Sequence, residues 1–286
     1  MKLSIIIVVY RSEAVIFDCL DSINRYNDLG ADLEVILVDN ETGSTLGDKL
    51  QTSRYSFCLK FIRSDGNKGF GAGNNIGVFA ASSDIVLFLN PDTLLMEFML
   101  RDVCDRISKN PNEICGFALM DKSGKRNNSY SFFYDSFVIY RALSIVKSVS
   151  YYAPIRWEWL NRFIWPWGAA FALSKDAFLA AGGFDERIFL CNEEPDLLKR
   201  LPNRSVVMLE KRIIHLEGHG TPVSEDRYYH YFRAFRYYQE KYSMRAFDRM
   251  MWKTHIRFLS SFYSLFFKDE SHQNYARAYR RLRAEL

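Results

Sequence analysis

The apolar positions of the first ninety residues fall in short, almost unbroken runs separated by polar, glycine-containing stretches. Leu3 to Val9, Leu33 to Val38 and Ile85 to Leu89 are runs of this kind. Each has strand length, and runs apolar at nearly every position mark strands covered on both faces, as in a parallel sheet. Cys58 to Ile62 reads as a further strand. Between the first two runs, Val15, Ile16, Cys19, Leu20 and Ile23 share one helical face, with Ser12 placed to cap that helix. Asp65 to Gly73 is expected to be a glycine-rich loop and Asn74 to Ala81 a helix. Strands alternating with helices predict a parallel sheet joined by right-handed crossovers.

Beyond residue 94 the pattern is less regular. Asp121 to Gly124 reads as a turn, and 130–167 is rich in Tyr, Phe and Trp without clear periodicity. Ala169 to Leu173 is apolar again, and Lys175 to Ala181 is expected to be a short helix closed by Gly182-Gly183. Pro195 suits a first helical position, which predicts a helix through Leu201 with carboxylates at its positive end. Near the end, Met251, His255, Phe258, Phe262 and Leu265 recur at helical spacing, with Arg249, Lys253 and Arg257 as an i, i+4 stripe beside them. Such a helix either lies in a membrane interface or packs on the protein, and spacing leaves both readings open.

Composition narrows the class. Apolar residues make up 48% of the 286, enough for a real core, and no run approaches the ~20 apolar residues of a membrane span. The N-terminus lacks the features of a signal peptide. Five cysteines are scattered without metal-ligand spacing, so they are expected to be reduced thiols in a cytoplasmic protein. Glu225 to Leu286 carries 13 Lys/Arg against 7 Asp/Glu, although the whole chain has a net charge of only +4. A basic tail after a slightly acidic body suggests that the tail meets something anionic.

Three features carry chemistry. Asn90-Pro91 stops the strand 85–89 and leaves Asp92 just outside its carboxyl end, where open α/β sheets bind ligands. A hard carboxylate there suits Mg2+ or Mn2+ on phosphate oxygens; a solvated turn aspartate is the plain alternative. Gly66-Asn67-Lys68-Gly69-Phe70-Gly71-Ala72-Gly73 allows close backbone approach to a phosphate or sugar, or else is a tight surface loop. Its spacing is neither that of a dinucleotide fingerprint nor that of a P-loop. Asp39, at the end of the second strand, is placed either to accept from the imide N–H of a pyrimidine or to cap a turn.

Taken in order, Ile5–Tyr10, Val38-Asp39-Asn40, Asn67-Lys68-Gly69-Phe70 with Gly73-Asn74-Asn75, and Leu89-Asn90-Pro91-Asp92 resemble family 2 glycosyltransferases. Gly183-Phe184-Asp185-Glu186 and Glu193-Glu194-Pro195-Asp196-Leu197 complete the series over about residues 3 to 240. The chain looks most like the bacterial rhamnosyltransferase branch, which builds O-antigen and other surface polysaccharides. The resemblance implies an α/β GT-A fold, with a Rossmann-like nucleotide-binding half-sheet fused to an acceptor-binding half and followed by C-terminal helices. The expected division is a catalytic domain over 1–224 (nucleotide-sugar half 1–93, acceptor half 94–224) and a basic, aromatic helical region over 225–286.

By matching position, the resemblance implies that Val9, Tyr10, Asp39, Asn67, Gly69, Phe70, Asn75 and Asn90 bind the nucleotide-sugar, with Arg236 pairing with phosphate. Asn90-Pro91-Asp92 stands where the family has Asp-x-Asp, so Asp92 is the implied metal ligand, with His215 beside the metal or diphosphate. Glu194 is the implied general base, Glu193 its rival, and Asp196 orients the acceptor or the loop. Trp165, Trp167 and Gly168 are expected to flank the acceptor, although core tryptophans are an equal reading.

The implied activity is inverting, metal-dependent transfer of a sugar, best matched by L-rhamnose from dTDP-β-L-rhamnose, to a glycan precursor that is lipid-linked. The expected location is cytoplasmic, with peripheral contact at the inner membrane, and nucleic acid is not an expected partner. A UDP-linked hexosyl or galactofuranosyl donor, or a degenerate homologue that only binds a glycan or partner, are the alternatives. A sugar nucleotidyltransferase would need Gly-x-Gly-x-Arg after the first strand, where this chain has Tyr10-Arg11-Ser12.

Overall fold

The computed structural model describes residues 2–50, 54–149, 161–216 and 224–284. The chain forms two compact units. Met1–Ser131, Ile164–Arg187 and Glu193–Thr221 make the first, and Phe132–Phe163, Ile188–Asn192 and Pro222–Leu286 the second.

In chain order the elements are β1 (Leu3–Val9), α1 (Glu13–Arg25), β2 (Leu33–Asp39), α2 (Leu46–Leu50), β3 (Cys58–Arg63), α3 (Phe70–Ala80) and β4 (Ile85–Leu89). Then come β5 (Thr93–Leu95), α4 (Leu100–Lys109), β6 (Glu113–Met120), β7 (Tyr130–Phe132), α5 (Phe137–Val149), β8 (Ile164–Pro166), β9 (Ala170–Ser174) and α6 (Lys175–Ala180). The chain ends with α7 (Glu193–Arg200), β10 (Ser205–His215), α8 (Glu225–Lys241), α9 (Ala246–Phe266) and α10 (Glu270–Ala284).

The first unit is built on an eight-stranded mixed sheet of order β3-β2-β1-β4-β9-β6-β10-β5. The first four strands are parallel to one another, as the alternating pattern predicts. β1, β2 and β4 are buried at every position, which explains their lack of alternation, whereas β3 closes an edge and is half-exposed. β9 runs antiparallel to both β4 and β6 and so joins the parallel half-sheet to the rest. Phe88, Phe171, Phe178 and Phe184 stack around this junction with ring centroids 4.9 to 6.5 Å apart.

Three local expectations are corrected. The glycine-rich stretch is not all loop: α3 begins at Phe70, so Gly71 and Gly73 are helical. A Cβ on Gly73 would lie 2.8 Å from Val8 Cγ1, and one on Gly77 would lie 2.3 Å from Ile6 Cγ2. These glycines bring α3 down onto β1, a helix–sheet packing role. Gly66 and Gly69, with φ of 81° and 92°, make the turn before it. α7 begins at Glu193, two residues before Pro195, so both glutamates lie in its first turn. Ser12 occupies the cap position of α1, but its hydroxyl donates to the Tyr10 carbonyl instead of accepting from the helix.

The second unit packs α9 against α5 and α10, and α10 against α8. Trp252 is its centre, with Phe137, Tyr140 and Phe235 rings 5.0 to 5.1 Å away and its indole N–H donated to the Tyr134 carbonyl. Tyr134, Phe137 and Tyr140, from the start of the aromatic stretch, converge on this one tryptophan instead of marking a helix or strand face. α9 buries Asp248, Trp252, Ile256 and Ser260, while Phe258, Leu265 and Phe266 remain more than 60% exposed. Among the described residues no helix is long and apolar enough to cross a membrane.

Candidate active site

Register gathers the predicted residues at one edge of the first unit's sheet. Val9 pairs with Asp39 and Ile6 with Phe88, so the chain leaves β1, β2 and β4 on the same side. β9 runs the other way: Leu89 pairs with Ala170, and the Asn90 N–H donates to the Ala169 carbonyl at 2.9 Å. Trp167-Gly168 therefore enters the sheet where Asn90-Pro91-Asp92 leaves it. β10 pairs antiparallel with β5, His215 opposite Thr93, which delivers His215 next to Asp92.

Asp39 is fully buried. One carboxylate oxygen accepts from the Glu41 N–H at 3.0 Å, and the other is buried with no donor among the described residues. Asn40 ties this strand end to the glycine turn: its amide donates to the Gly69 carbonyl at 3.0 Å and its oxygen accepts from Ser64 Oγ at 2.7 Å. Asn67 accepts from the Gly69 N–H at 3.0 Å. Val9 is buried in the core, Tyr10 is half-exposed with the Arg11 guanidinium 5.2 Å from its ring centre, and Phe70 meets Phe184 edge-on. Asn75 exchanges hydrogen bonds with the Phe184 backbone at 2.9 Å in both directions and donates to Glu186 at 3.0 Å. It clasps the Gly183–Glu186 turn, and a Cβ on Gly183 would lie 2.8 Å from its oxygen.

Asp92 and His215 are both largely buried, with His215 Nε2 3.4 Å from Asp92 Oδ1. Among the described residues no group of three or more His, Cys, Asp or Glu side chains converges. A carboxylate oxygen facing an imidazole nitrogen fits a divalent ion with two protein ligands, the other positions going to ligand oxygens and water. Cys19 lies beneath, its sulfur 3.8 Å from Thr93 Oγ1, and burial pushes its thiol up to about 12, which keeps it protonated there.

Glu194 sits in the first turn of α7, buried against Gly168. Burial pushes its carboxyl up to about 7, against the opposing pull of the Glu194 and Gly168 backbone N–H groups. Just ahead of the helix, Cys191 and Asn192 both have left-handed backbone, φ 66° and 69°. Two consecutive non-glycine residues in that region are uncommon and mark a constrained turn. Asn192 accepts from the Tyr134 hydroxyl. Asn192 is a residue type that tolerates this region, but Cys191 before it is not, so the residue types give half a cue at most. Glu193 is also buried, while Asp196, fully buried, receives Nε and Nη2 of Arg200 at 3.1 and 2.8 Å. Arg200 in turn donates to the Ala181 carbonyl after α6. Trp165 and Trp167 are half-buried; Trp167 packs on the core, and its indole N–H is buried without an acceptor among the described residues.

The sequence profile described as Glycosyl transferase family 2 matches residues 4–162. The chain belongs to this family. Among its relatives, an uncharacterized glycosyltransferase, YfnE of Bacillus subtilis (strain 168), is 29% identical over 141 residues, covering 48% of this chain and 33% of that protein. The low-salt glycan biosynthesis hexosyltransferase Agl10 of Haloferax volcanii is 23% identical over 230 residues, covering 79% of this chain and 69% of Agl10. The crystal structure of GalNAc-T7 with UDP, GalNAc and Mn2+ superposes with a TM-score of 0.59 at 12% identity, over 98% of this chain and 54% of that one. The chain thus spans about a third of YfnE and about half of GalNAc-T7. The fold is that of the GT-A glycosyltransferases.

In this family 2 glycosyltransferase two further residues singled out by sequence belong to the second unit. Arg236 is in the second unit, on α8, where it bonds Glu240 at 2.8 Å. His230, which with Arg236 and Tyr237 resembles a helix motif of the rhamnosyltransferase branch, stacks on Phe189 with centroids 4.4 Å apart, and burial lowers its pKa. His215 opens a stretch that resembles the family's His-x-x-Gly region, and the Gly218, His219 and Gly220 of that stretch fall outside the described residues.

Proposed function

We propose that the chain is an inverting, metal-dependent glycosyltransferase that moves a sugar from a nucleotide to a cell-surface glycan precursor, with Glu194 as the general base. The observation that carries this is a buried carboxyl pushed up to about 7 at the sheet edge that also bears Asp92 and His215. A base is most effective with its pKa near the working pH. In this reading Glu194 takes the proton from an acceptor hydroxyl as that oxygen bonds the anomeric carbon. The bond to the diphosphate breaks on the opposite face, and its electron pair leaves with the diphosphate. Asp92 and His215 would hold Mg2+ or Mn2+, which when bound offsets charge on the leaving group. The unmatched Asp39 oxygen is placed for the imide N–H of a uracil or thymine, and Trp167 beside Gly168 for the acceptor sugar.

For the donor we propose dTDP-β-L-rhamnose, on the motif resemblance. A UDP-hexose is the second reading, favoured by the hexosyltransferase relative Agl10. We place the protein at the cytoplasmic face of the inner membrane, acting on a lipid-linked acceptor; the exposed Phe258, Phe262, Leu265 and Phe266 of α9 support surface contact. Thermal unfolding with dTDP, UDP, GDP and ADP, with and without Mn2+, tests this reading. At a hundredfold excess over the dissociation constant, a ligand adds about 2.7 kcal/mol of stability. A Mn2+-dependent rise with dTDP, abolished in Asp92→Asn, is expected. A rise with UDP alone would overturn the donor, and no rise with any nucleotide would overturn the transferase.

A further inference from the structure

The helical unit contains a cavity of about 590 Å3 lined by α8, α9 and α10. Its lining divides by exposure. Phe232, Phe235, Ile256, Tyr279 and Leu282 are buried and form an apolar floor. Arg236, Arg249, Lys253 and Arg283 also line it, and all four are exposed.

The charges there do not neutralise one another. Among the described residues Glu240 is the only acidic one of the lining, and it is bonded to Arg236. Among the described residues Arg249, Lys253 and Arg283 have no carboxylate partner. Gln239, also in the lining, has a buried amide nitrogen with no acceptor among the described residues. A buried donor left unmatched is costly, and three unpaired cations around one cavity repel one another. An anion with several oxygens relieves both. The apolar floor adds a further constraint, because an inorganic ion would leave it wet. It also offers few polar groups with which to read a nucleobase.

We propose that this cavity is a second ligand site, for an organic diphosphate with an alkyl chain, whose phosphates meet Arg249, Lys253 and Arg283 and whose chain lies on the apolar floor. The inference deepens the proposed function by giving the lipid-linked acceptor a place to bind through its diphosphate, and it rests on that reading only for its biological role. The binding itself requires no transfer.

The test is titration of the full chain with farnesyl diphosphate below its micelle concentration, followed by tryptophan fluorescence. Pyrophosphate, farnesol and dTDP are titrated in parallel. Farnesyl diphosphate should bind at least about tenfold more tightly than either pyrophosphate or farnesol, since each lacks half of the contacts. The triple variant Arg249→Gln, Lys253→Gln, Arg283→Gln, with exposed positions and an unchanged melting curve, should lose at least about tenfold in affinity. Arg54→Gln, Lys109→Gln, Lys125→Gln removes the same charge from the first unit and should bind like the parent. Equal binding by the two triple variants would overturn the site, as would pyrophosphate binding as tightly as farnesyl diphosphate. Displacement of farnesyl diphosphate by dTDP would overturn it too, by showing one shared nucleotide site. Asp39→Asn separates the two readings: it should weaken dTDP and leave farnesyl diphosphate unchanged.

Discussion

Gly168 and Glu194 are in such close contact that a Cβ on Gly168 would lie 2.1 Å from Glu194 Oε1 and 2.9 Å from its carboxyl carbon. No side chain fits at 168 without moving the carboxylate. The contact also keeps water from that face of Glu194, which is why burial dominates its proton affinity. Gly168→Ala is therefore expected to displace the base by a fraction of an ångström or more, and misplacements of about 1 Å cost about a hundredfold in rate. Steady-state kinetics should show that loss in kcat, with the donor KM little changed. An unchanged kcat would separate Gly168 from the chemistry.

The raised Glu194 carboxyl has two consequences for pH. With the base required in its ionised form, kcat/KM should climb about tenfold per pH unit below about 7 and level off above it. Stability should move the other way. The folded carboxyl holds its proton up to about 7 and the unfolded one only to 4.5, so between these values the folded state binds more protons. Stability therefore falls as pH rises through that window, by up to about 3 kcal/mol, and stays level above it. Glu194→Gln removes the titration, so its melting temperature should exceed that of the parent at pH 8 by more than at pH 5. Urea unfolding across that range checks the sign.

Asp39 holds one carboxylate oxygen against the Glu41 N–H and leaves the other buried without a donor. Hydrogen bonds to a charged group contribute about 1.5–3 kcal/mol. Asp39→Asn should accordingly weaken nucleotide binding by about 10- to 100-fold in calorimetric titration, with no loss of stability in the free protein. If nucleotide affinity is unaltered, the buried oxygen serves the fold alone.

Gly77 tests the packing of α3 on β1. A Cβ there would lie 2.3 Å from Ile6 Cγ2, against a strand buried on both faces. Gly77→Ala should destabilise the protein by about 1–3 kcal/mol through overpacking. The activity of the folded fraction should be unchanged, and a selective loss of donor binding would contradict a purely packing role for this glycine.

How much of this was legible depended on the range of the interactions involved. β1, β2 and β4 were readable because burial on both faces leaves unbroken apolar runs. The start of α3 was not, because Gly71 and Gly73 have loop-like local preferences that packing on β1 overrides. Asp92 announced itself by ending a strand, and Glu193 and Glu194 by opening a helix. Their contacts were not readable from local pattern, and His215 was placed beside the metal by the family resemblance alone. His215 meets Asp92 only because β10 pairs with β5 across more than a hundred residues, and Gly168 meets Glu194 only because β9 runs antiparallel to β4. The α9 pattern was read from its apolar row, yet the helix packs through Trp252 and Ile256 on a different face, because aromatic residues from 134 to 140 converge there.

The central claim, that Glu194 and not Glu193 is the base, is tested most directly by single-turnover sugar transfer in Glu194→Gln and Glu193→Gln, with donor binding measured on the same samples. Removing a general base costs about 10²–10⁴ in rate. The account predicts a loss in that range for Glu194→Gln with nucleotide affinity retained, and a much smaller loss for Glu193→Gln. Transfer by Glu194→Gln within about tenfold of the parent, or an equal collapse in Glu193→Gln, would contradict it.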